Sequence, residues 1–82
     1  MRILVTGAAT GIGRATAIEL TKRGHEVVAT ARRVDALNDL DVADRLQLDV
    51  TDEASVARAI AAAGDLDGIV NNAGLSEPGP IE

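Results

Sequence analysis

The chain has 82 residues, a net charge of −5, one histidine, no cysteine and no aromatic residue. A chain of this length forms one small domain, and its lack of Cys and of a second His excludes thiolate and multi-histidine metal sites. The lack of Tyr excludes a phenol as catalytic acid or base, and the acidic balance without stacking rings argues against nucleic-acid binding. No apolar run reaches the length of a membrane span and no signal peptide opens the chain, so we expect a cytoplasmic protein without membrane contact.

Short runs of aliphatic and β-branched residues alternate with longer stretches of helical periodicity. The predicted strands are residues 2–6, 26–30, 45–49 and 67–71, and the predicted helices are residues 12–23, 33–40 and 52–63. Thr51 is the predicted N-cap of the third helix, while Gly24 and Gly64 are predicted to end the first and the third. The first two strands are near-continuous apolar runs, as in parallel strands covered on both faces. The alternation therefore predicts an α/β fold with right-handed crossovers.

The sequence Thr-Gly-Ala-Ala-Thr-Gly-Ile-Gly at positions 6–13 joins the first predicted strand to the first predicted helix. Gly7 permits a sharp exit from the strand, Gly11 lets the backbone approach a phosphate closely, and Gly13 allows the helix to pack closely on the strand. The first N–H groups of the helix attract a pyrophosphate at this point, and Thr10 offers a hydroxyl beside it. The spacing differs from both the common dinucleotide glycine motif and the P-loop. The alternative is a tight strand-to-helix turn with no ligand.

Two arginines follow the second predicted strand, at the position where dinucleotide folds contact the adenosine ribose. An acidic side chain there binds the ribose 2′-hydroxyl of NAD, but this sequence has Ala31 followed by Arg32 and Arg33. A guanidinium suits a 2′-phosphate, so the sequence favours NADP(H) over NAD(H). Arginine is also unfavourable at the start of a helix, which indicates that an anion is expected there. The alternative is a solvated arginine pair.

Polar residues also follow the third and fourth predicted strands, on the side where open parallel sheets bind ligands. Asp49 can accept a hydrogen bond from an adenine amino group, or it can serve the local turn while Thr51 caps the next helix. The Asn-Asn-Ala-Gly sequence at positions 71–74 has amides that can tie neighbouring strands and small residues against which a ring or ribose can lie. The alternative for these four residues is a plain turn.

The glycine motif at positions 6–13, Asp-Val-Thr at 49–51 and Asn-Asn-Ala-Gly at 71–74 resemble, in this order and spacing, the short-chain dehydrogenases/reductases. The resemblance covers essentially the whole chain. It implies a partial Rossmann-type, doubly wound parallel sheet of four strands in the order 3-2-1-4 with three helices, and a dinucleotide lying across the strand ends. The cofactor-binding residues that it implies are Gly7, Thr10, Gly11, Ile12 and Gly13 at the pyrophosphate, Arg32 and Arg33 at the 2′-phosphate, Asp49 and Val50 at the adenine, and Asn72, Ala73 and Gly74 at the adenosine ribose, with Asn71 structural.

The resemblance further implies an enzyme that transfers hydride between NADP(H), with NAD(H) less favoured, and a small carbonyl or alcohol substrate. The family's catalytic tyrosine, its nearby lysine, and the supporting serine and asparagine all fall beyond the position of Glu82. We therefore expect residues 1–82 to be one truncated dinucleotide-binding domain that has no catalytic residue and no metal ligand and is inactive alone. The alternatives are a non-catalytic nucleotide-binding module and an inactive fragment.

In the order 3-2-1-4 the fourth strand is expected to form an exposed edge, although it would be interior in a longer sheet. The first two helices are expected to cover one face and the third helix the other, which leaves the second face bare over strands two and three. We expect the isolated chain to be molten, aggregated or dimerised through the strand that contains Val70.

Overall fold

The structure is a computed structural model that describes residues 1–72. Its elements are β1 (Arg2–Val5), α1 (Gly11–Lys22), β2 (Glu26–Ala31), a 3₁₀ turn (Val34–Leu37), β3 (Asp44–Gln47), α2 (Glu53–Ala63) and β4 (Gly68–Val70). All strand pairs are parallel and the order is β3-β2-β1-β4, which confirms the predicted Rossmann-type sheet. Neither α-helix within residues 1–72 is long and apolar enough to cross a membrane.

The predicted helix at residues 33–40 is wrong, because only the short 3₁₀ turn forms there. Leu37 and Leu40 are both buried, so their spacing of three residues gives the segment a helical pattern. The Arg45 side chain of β3 bonds the end of this segment. Its guanidinium donates to the carbonyl oxygens of Leu37 and Leu40, which are groups that would accept the N–H donors of further helical turns.

The two faces of the sheet carry separate apolar clusters, as alternation along each strand requires. On β1, Ile3 and Val5 belong to the larger cluster, whereas Leu4 faces the other way. The larger cluster is closed by α1 and the 3₁₀ turn and comprises Ile3, Val5, Ala8, Ala17, Val27, Ala29, Ala31, Leu37 and Leu40. The smaller cluster is closed by α2 and comprises Leu4, Val28 and Ala63, with Leu46 and Leu66 packed against it. The predicted division between the faces is therefore confirmed for α1 and α2, with the 3₁₀ turn in place of the predicted second helix.

The bare part of the second face lies over β4, and the prediction that it lies over the second and third strands is wrong. Val28 and Thr30 of β2 are fully buried; α2 packs on β3, and its Ala63 joins Val28 in the smaller cluster. Ile69 of β4, which pairs with Leu4, is 55 % exposed. Within residues 1–72, β4 pairs with β1 alone and forms an edge. Self-association through this edge stays a prediction.

Arg2 ties the amino ends of the strands together, a role that sequence analysis did not identify. Its guanidinium donates to Asp44 at 2.7 Å, to Glu26 at 3.5 Å and to the carbonyl oxygen of Ala63 at 2.8 Å. Its backbone N–H donates to the Asp67 carboxylate at 2.7 Å. The side chain is partly exposed, so each ion pair contributes little alone. Together these bonds link the amino ends of the four strands, at the end of the sheet opposite the carboxyl ends.

The N-cap of α2 is Asp52, and the prediction that Thr51 caps this helix is wrong. A carboxylate oxygen of Asp52 accepts a hydrogen bond from the backbone N–H of Ala54 at 3.1 Å. Thr51 donates to Asp49 instead, which leaves its hydroxyl directed away from the helix. Gly64 ends α2 with a φ of 77°, as predicted.

We expect Asp52→Ala to lower the free energy of unfolding by about 1 kcal/mol, because it removes the side-chain acceptor at the start of α2. Thr51→Val should cost less, since Thr51 does not bond the helix. Urea unfolding followed by circular dichroism measures both changes. A larger loss for Thr51→Val than for Asp52→Ala would contradict the assignment of the cap.

Candidate functional site

A groove of about 360 Å³ lies over the carboxyl ends of β1, β2 and β3. Ligands of open parallel sheets bind at this edge, where the connections to the following helices diverge. The volume is at the lower end of the range for ligand pockets. The predicted site residues that line it are Gly7, Thr10, Arg32, Arg33, Asp49 and Val50. In the part of the chain that the structure describes, no three side chains form a group able to hold a metal ion.

The glycine turn brings the start of α1 to one end of this groove. Gly7 and Gly11 have φ angles of 62° and 59°, a conformation that a side chain disfavours. Thr10 is the N-cap residue, but its side chain makes no capping hydrogen bond, and the first turn has no acidic residue. Ile12 is 74 % exposed at this first turn. The N–H donors and positive dipole of α1 are therefore left without an anion from this turn.

Gly13 is required by close packing and not by its backbone angles. A Cβ at this position would lie 2.1 Å from the carbonyl oxygen of Gly7 and 2.5 Å from Nδ2 of Asn72. Asn72 is buried behind the turn and does not line the groove, whereas the exposed Asn71 accepts a hydrogen bond from Thr6 at 3.3 Å. The geometry thus places Asn72 against the turn that faces the groove. The predicted residues Ala73 and Gly74 lie outside the described residues.

Asp49 lies in the groove with one carboxylate oxygen already engaged. Its Oδ1 accepts the hydroxyl of Thr51 at 2.6 Å and the backbone N–H of Thr51 at 3.0 Å. These two bonds, together with the nearby Arg32 guanidinium, outweigh desolvation and hold the pKa of Asp49 below its usual range. The carboxylate is therefore ionised at neutral pH and can act as an acceptor. The turn role that the sequence left open is the one that Oδ1 performs.

Ser55 holds the backbone of Asp49 in place, which sequence analysis missed. The Ser55 side chain is buried, accepts a hydrogen bond from the Asp49 N–H at 2.9 Å, and donates to Gln47 at 3.1 Å. The sequence does contain a signal for this role. Ser55 is spaced by four residues from Ala59, and Ala59 by four from Ala63, so all three lie on the inner face of α2. A polar residue on that face needs a partner, and the turn after β3 supplies it.

The two arginines differ in their surroundings, although both line the groove. The Arg33 guanidinium bonds the Asp35 carboxylate at 3.1 Å, two residues further along the chain. Within residues 1–72, Arg32 makes no hydrogen bond or ion pair, and its charge acts on Asp49. The anion expected near these arginines is thus supplied to Arg33 by the chain itself. Arg32 has no such partner among residues 1–72.

A parallel sheet in the order β3-β2-β1-β4, with a glycine turn between β1 and α1 and a groove over the strand ends, defines a Rossmann-type fold. Comparison with known proteins then narrows the class. The family model for short chain dehydrogenases matches residues 1–82. The chain belongs to the short-chain dehydrogenase family.

The curated relatives include several dehydrogenases and reductases. Serine 3-dehydrogenase of Agrobacterium fabrum is 40 % identical over 83 residues, which cover 90 % of this chain and 33 % of the relative. The NADP-dependent 3-hydroxy acid dehydrogenase YdfG of Shigella flexneri is 38 % identical over 85 residues, which cover 93 % of this chain and 34 % of the relative. The structure of 3-ketoacyl-(acyl-carrier-protein) reductase from Brucella melitensis complexed with NADH superposes with a TM-score of 0.77 at 30 % identity, over 94 % of this chain and 39 % of that one. The chain spans about a third of the length of the curated relatives it matches.

Proposed function

We propose that this chain is the NADP(H)-binding part of an oxidoreductase that transfers hydride between NADP(H) and a carbonyl or alcohol substrate. The observation that carries the proposal is the groove, which brings Arg32, Asp49 and the glycine turn together from three separate strand ends. When bound, the coenzyme supplies the hydride, and the residues of this chain hold its adenosine and pyrophosphate. A cytoplasmic location stays a prediction.

The adenine end of the coenzyme fits the side of the groove formed after β3. Asp49 is ionised at neutral pH, since its pKa is lowered chiefly by the Thr51 hydroxyl, and within residues 1–72 its Oδ2 accepts no hydrogen bond. That oxygen is available to the exocyclic amino group of adenine. Val50 is part-exposed beside it and offers an apolar surface to the ring.

The pyrophosphate fits the opposite end of the groove, at the start of α1. A pyrophosphate there would accept hydrogen bonds from the first backbone N–H groups of α1. Neither the Thr10 side chain nor an acidic residue of the first turn bonds these groups. Gly11 has open space where a side chain would stand, so the backbone is accessible to a phosphate. We assign the cradle to Gly7 and residues 10–13, with Asn72 supporting it from behind.

The 2′-phosphate fits the end of β2. Ala31 provides no carboxylate to accept a ribose 2′-hydroxyl, and Arg32 lines the groove without a bonding partner in the described part of the chain. A guanidinium without a partner forms strong, charge-assisted hydrogen bonds with a phosphate dianion. The neutral 2′-hydroxyl of NAD(H) offers only a weaker hydrogen bond. This difference supports NADP(H) as the preferred coenzyme.

Titration calorimetry of the full chain with NADPH and NADH tests the proposal. We expect NADPH to bind at least about tenfold more tightly, the equivalent of one charge-assisted hydrogen bond. Nicotinamide mononucleotide, which lacks the adenosine half, serves as the control and should bind far more weakly than either. Equal affinities for NADPH and NADH would contradict the coenzyme preference, and no binding of either would contradict the proposed function.

A further inference from the structure

Asp35 places a negative charge beside the cationic end of the groove. Its carboxylate lies 3.1 Å from the guanidinium of Arg33, and the two side chains are 61 % and 81 % exposed. Arg33 lines the groove, while Asp35 stands outside the lining, in the first turn of the 3₁₀ segment. Any anion that binds Arg33 therefore competes with the Asp35 carboxylate for the same guanidinium.

We propose that Asp35 is a specificity-determining residue that weakens the binding of a 2′-phosphorylated coenzyme relative to its 2′-hydroxyl counterpart. The inference rests on the proposed function and extends it to a residue outside the groove lining. Asp35 engages Arg33 in the free protein and repels the phosphate dianion in the complex. A coenzyme with a neutral 2′-hydroxyl experiences neither effect at this position.

The charges at this end of the groove support the proposal. Arg32 and Arg33 contribute two positive charges, and Asp35 and Asp49 contribute two negative charges, so these four residues together carry no net charge. A phosphate dianion thus enters a region that is locally neutral. Without Asp35 the same region would carry a net positive charge and would attract the dianion at longer range.

The position of Asp35 makes the repulsion persist after its ion pair is broken. The pair with Arg33 is solvent-exposed and easily exchanged for a ligand phosphate. The backbone of Asp35 is held more firmly, because its carbonyl oxygen accepts the N–H of Asn38 and the 3₁₀ segment is anchored by the buried Leu37. The backbone that carries the Asp35 carboxylate therefore stays next to Arg33 when Arg33 exchanges this carboxylate for another anion.

Asp35→Asn tests the inference by removing the charge and keeping the shape. Removing one carboxylate charge near a dianion, with partial screening at 0.1 M salt, changes a Kd by about three- to tenfold. We therefore expect the variant to bind NADPH about three- to tenfold more tightly than the wild type, with the Kd for NADH changed less than about twofold. The gain should shrink as ionic strength is raised, which the loss of a purely structural role would not produce.

Asp65→Asn is the matched control. It makes the same change of net charge on an exposed residue between α2 and β4, at the edge of the sheet opposite the groove, and should leave both affinities unchanged. Asp35→Ser provides a second variant that also suits the start of a helix, should Asp35→Asn fail to fold. It is expected to show the same gain for NADPH.

The outcomes separate the inference from the proposed function. An unchanged or weaker affinity for NADPH in both Asp35 variants, with wild-type binding intact, overturns the inference alone. An equal gain for NADPH and NADH overturns it as well, since that would mark a general charge effect. Wild-type protein that binds neither coenzyme overturns the proposed function, and the inference with it.

Discussion

Gly13→Ala is expected to abolish coenzyme binding and to lower the free energy of unfolding by about 3 kcal/mol or more. The added methyl would lie 2.1 Å from the carbonyl oxygen of Gly7, which is backbone and cannot rotate away. The turn or the whole of α1 must move to relieve this contact. Either movement displaces the N–H groups that we assign to the pyrophosphate.

Gly24→Ala is the control for this prediction. Gly24 has a φ of 89° but open space around its Cβ position, so the substitution costs only backbone strain of about 1–2 kcal/mol. It also lies at the end of α1 away from the groove. Urea unfolding and calorimetric titration with NADPH distinguish the two variants. A Gly13→Ala protein that is as stable as Gly24→Ala and still binds NADPH would show that the close packing at Gly13 is not required.

Arg32→Ala is expected to weaken NADPH binding by about 10- to 100-fold, the cost of losing one or two charge-assisted hydrogen bonds. The Kd for NADH should rise less than about threefold, because a 2′-hydroxyl makes little use of a guanidinium. Arg32 is the better choice than Arg33 for this test, since Arg33 is engaged by Asp35. Titrations with both coenzymes at the same ionic strength measure the difference.

Arg58→Ala is the matched control for Arg32→Ala. Arg58 is an exposed arginine of α2, outside the groove, so its loss changes the net charge equally without touching the site. An equal loss of affinity for NADPH and NADH in Arg32→Ala would remove the 2′-phosphate from the proposed role of this residue. A comparable loss in Arg58→Ala would show that the effect depends on net charge alone.

Much of the fold could be predicted from local patterns. The short apolar runs Ile3–Val5 and Val27–Ala29 predict strands that are covered on both faces, and all of their residues are buried. Gly24 and Gly64 end their helices because both adopt positive φ, which the residue type alone suggests. The same holds for the groove, since the carboxyl ends of parallel strands meet at one edge wherever such a sheet forms.

The details that were predicted wrongly depend on partners that are distant in the sequence or that compete locally. The segment after Arg33 has a helical pattern, but only a 3₁₀ turn forms, and Arg45 of the neighbouring strand donates to its last carbonyl oxygens. Thr51 and Asp52 are both good N-cap residues, and the choice of Asp52 followed from Thr51 bonding Asp49. N-cap propensity does not choose between Thr51 and Asp52, because the choice depends on the hydrogen bond that Thr51 makes with Asp49.

The sequence by itself determined the parallel α/β class, the position of the glycine turn and the strand ends that carry the site, because periodicity and glycine placement act over a few residues. The tertiary structure decided which polar groups are already engaged: Asp49 by Thr51, Arg33 by Asp35, and the Asp49 N–H by Ser55. Those pairings depend on the separation of atoms in three dimensions, where a shift of about 1 Å makes or breaks a hydrogen bond. Arg32 is distinguished from Arg33 on that basis alone.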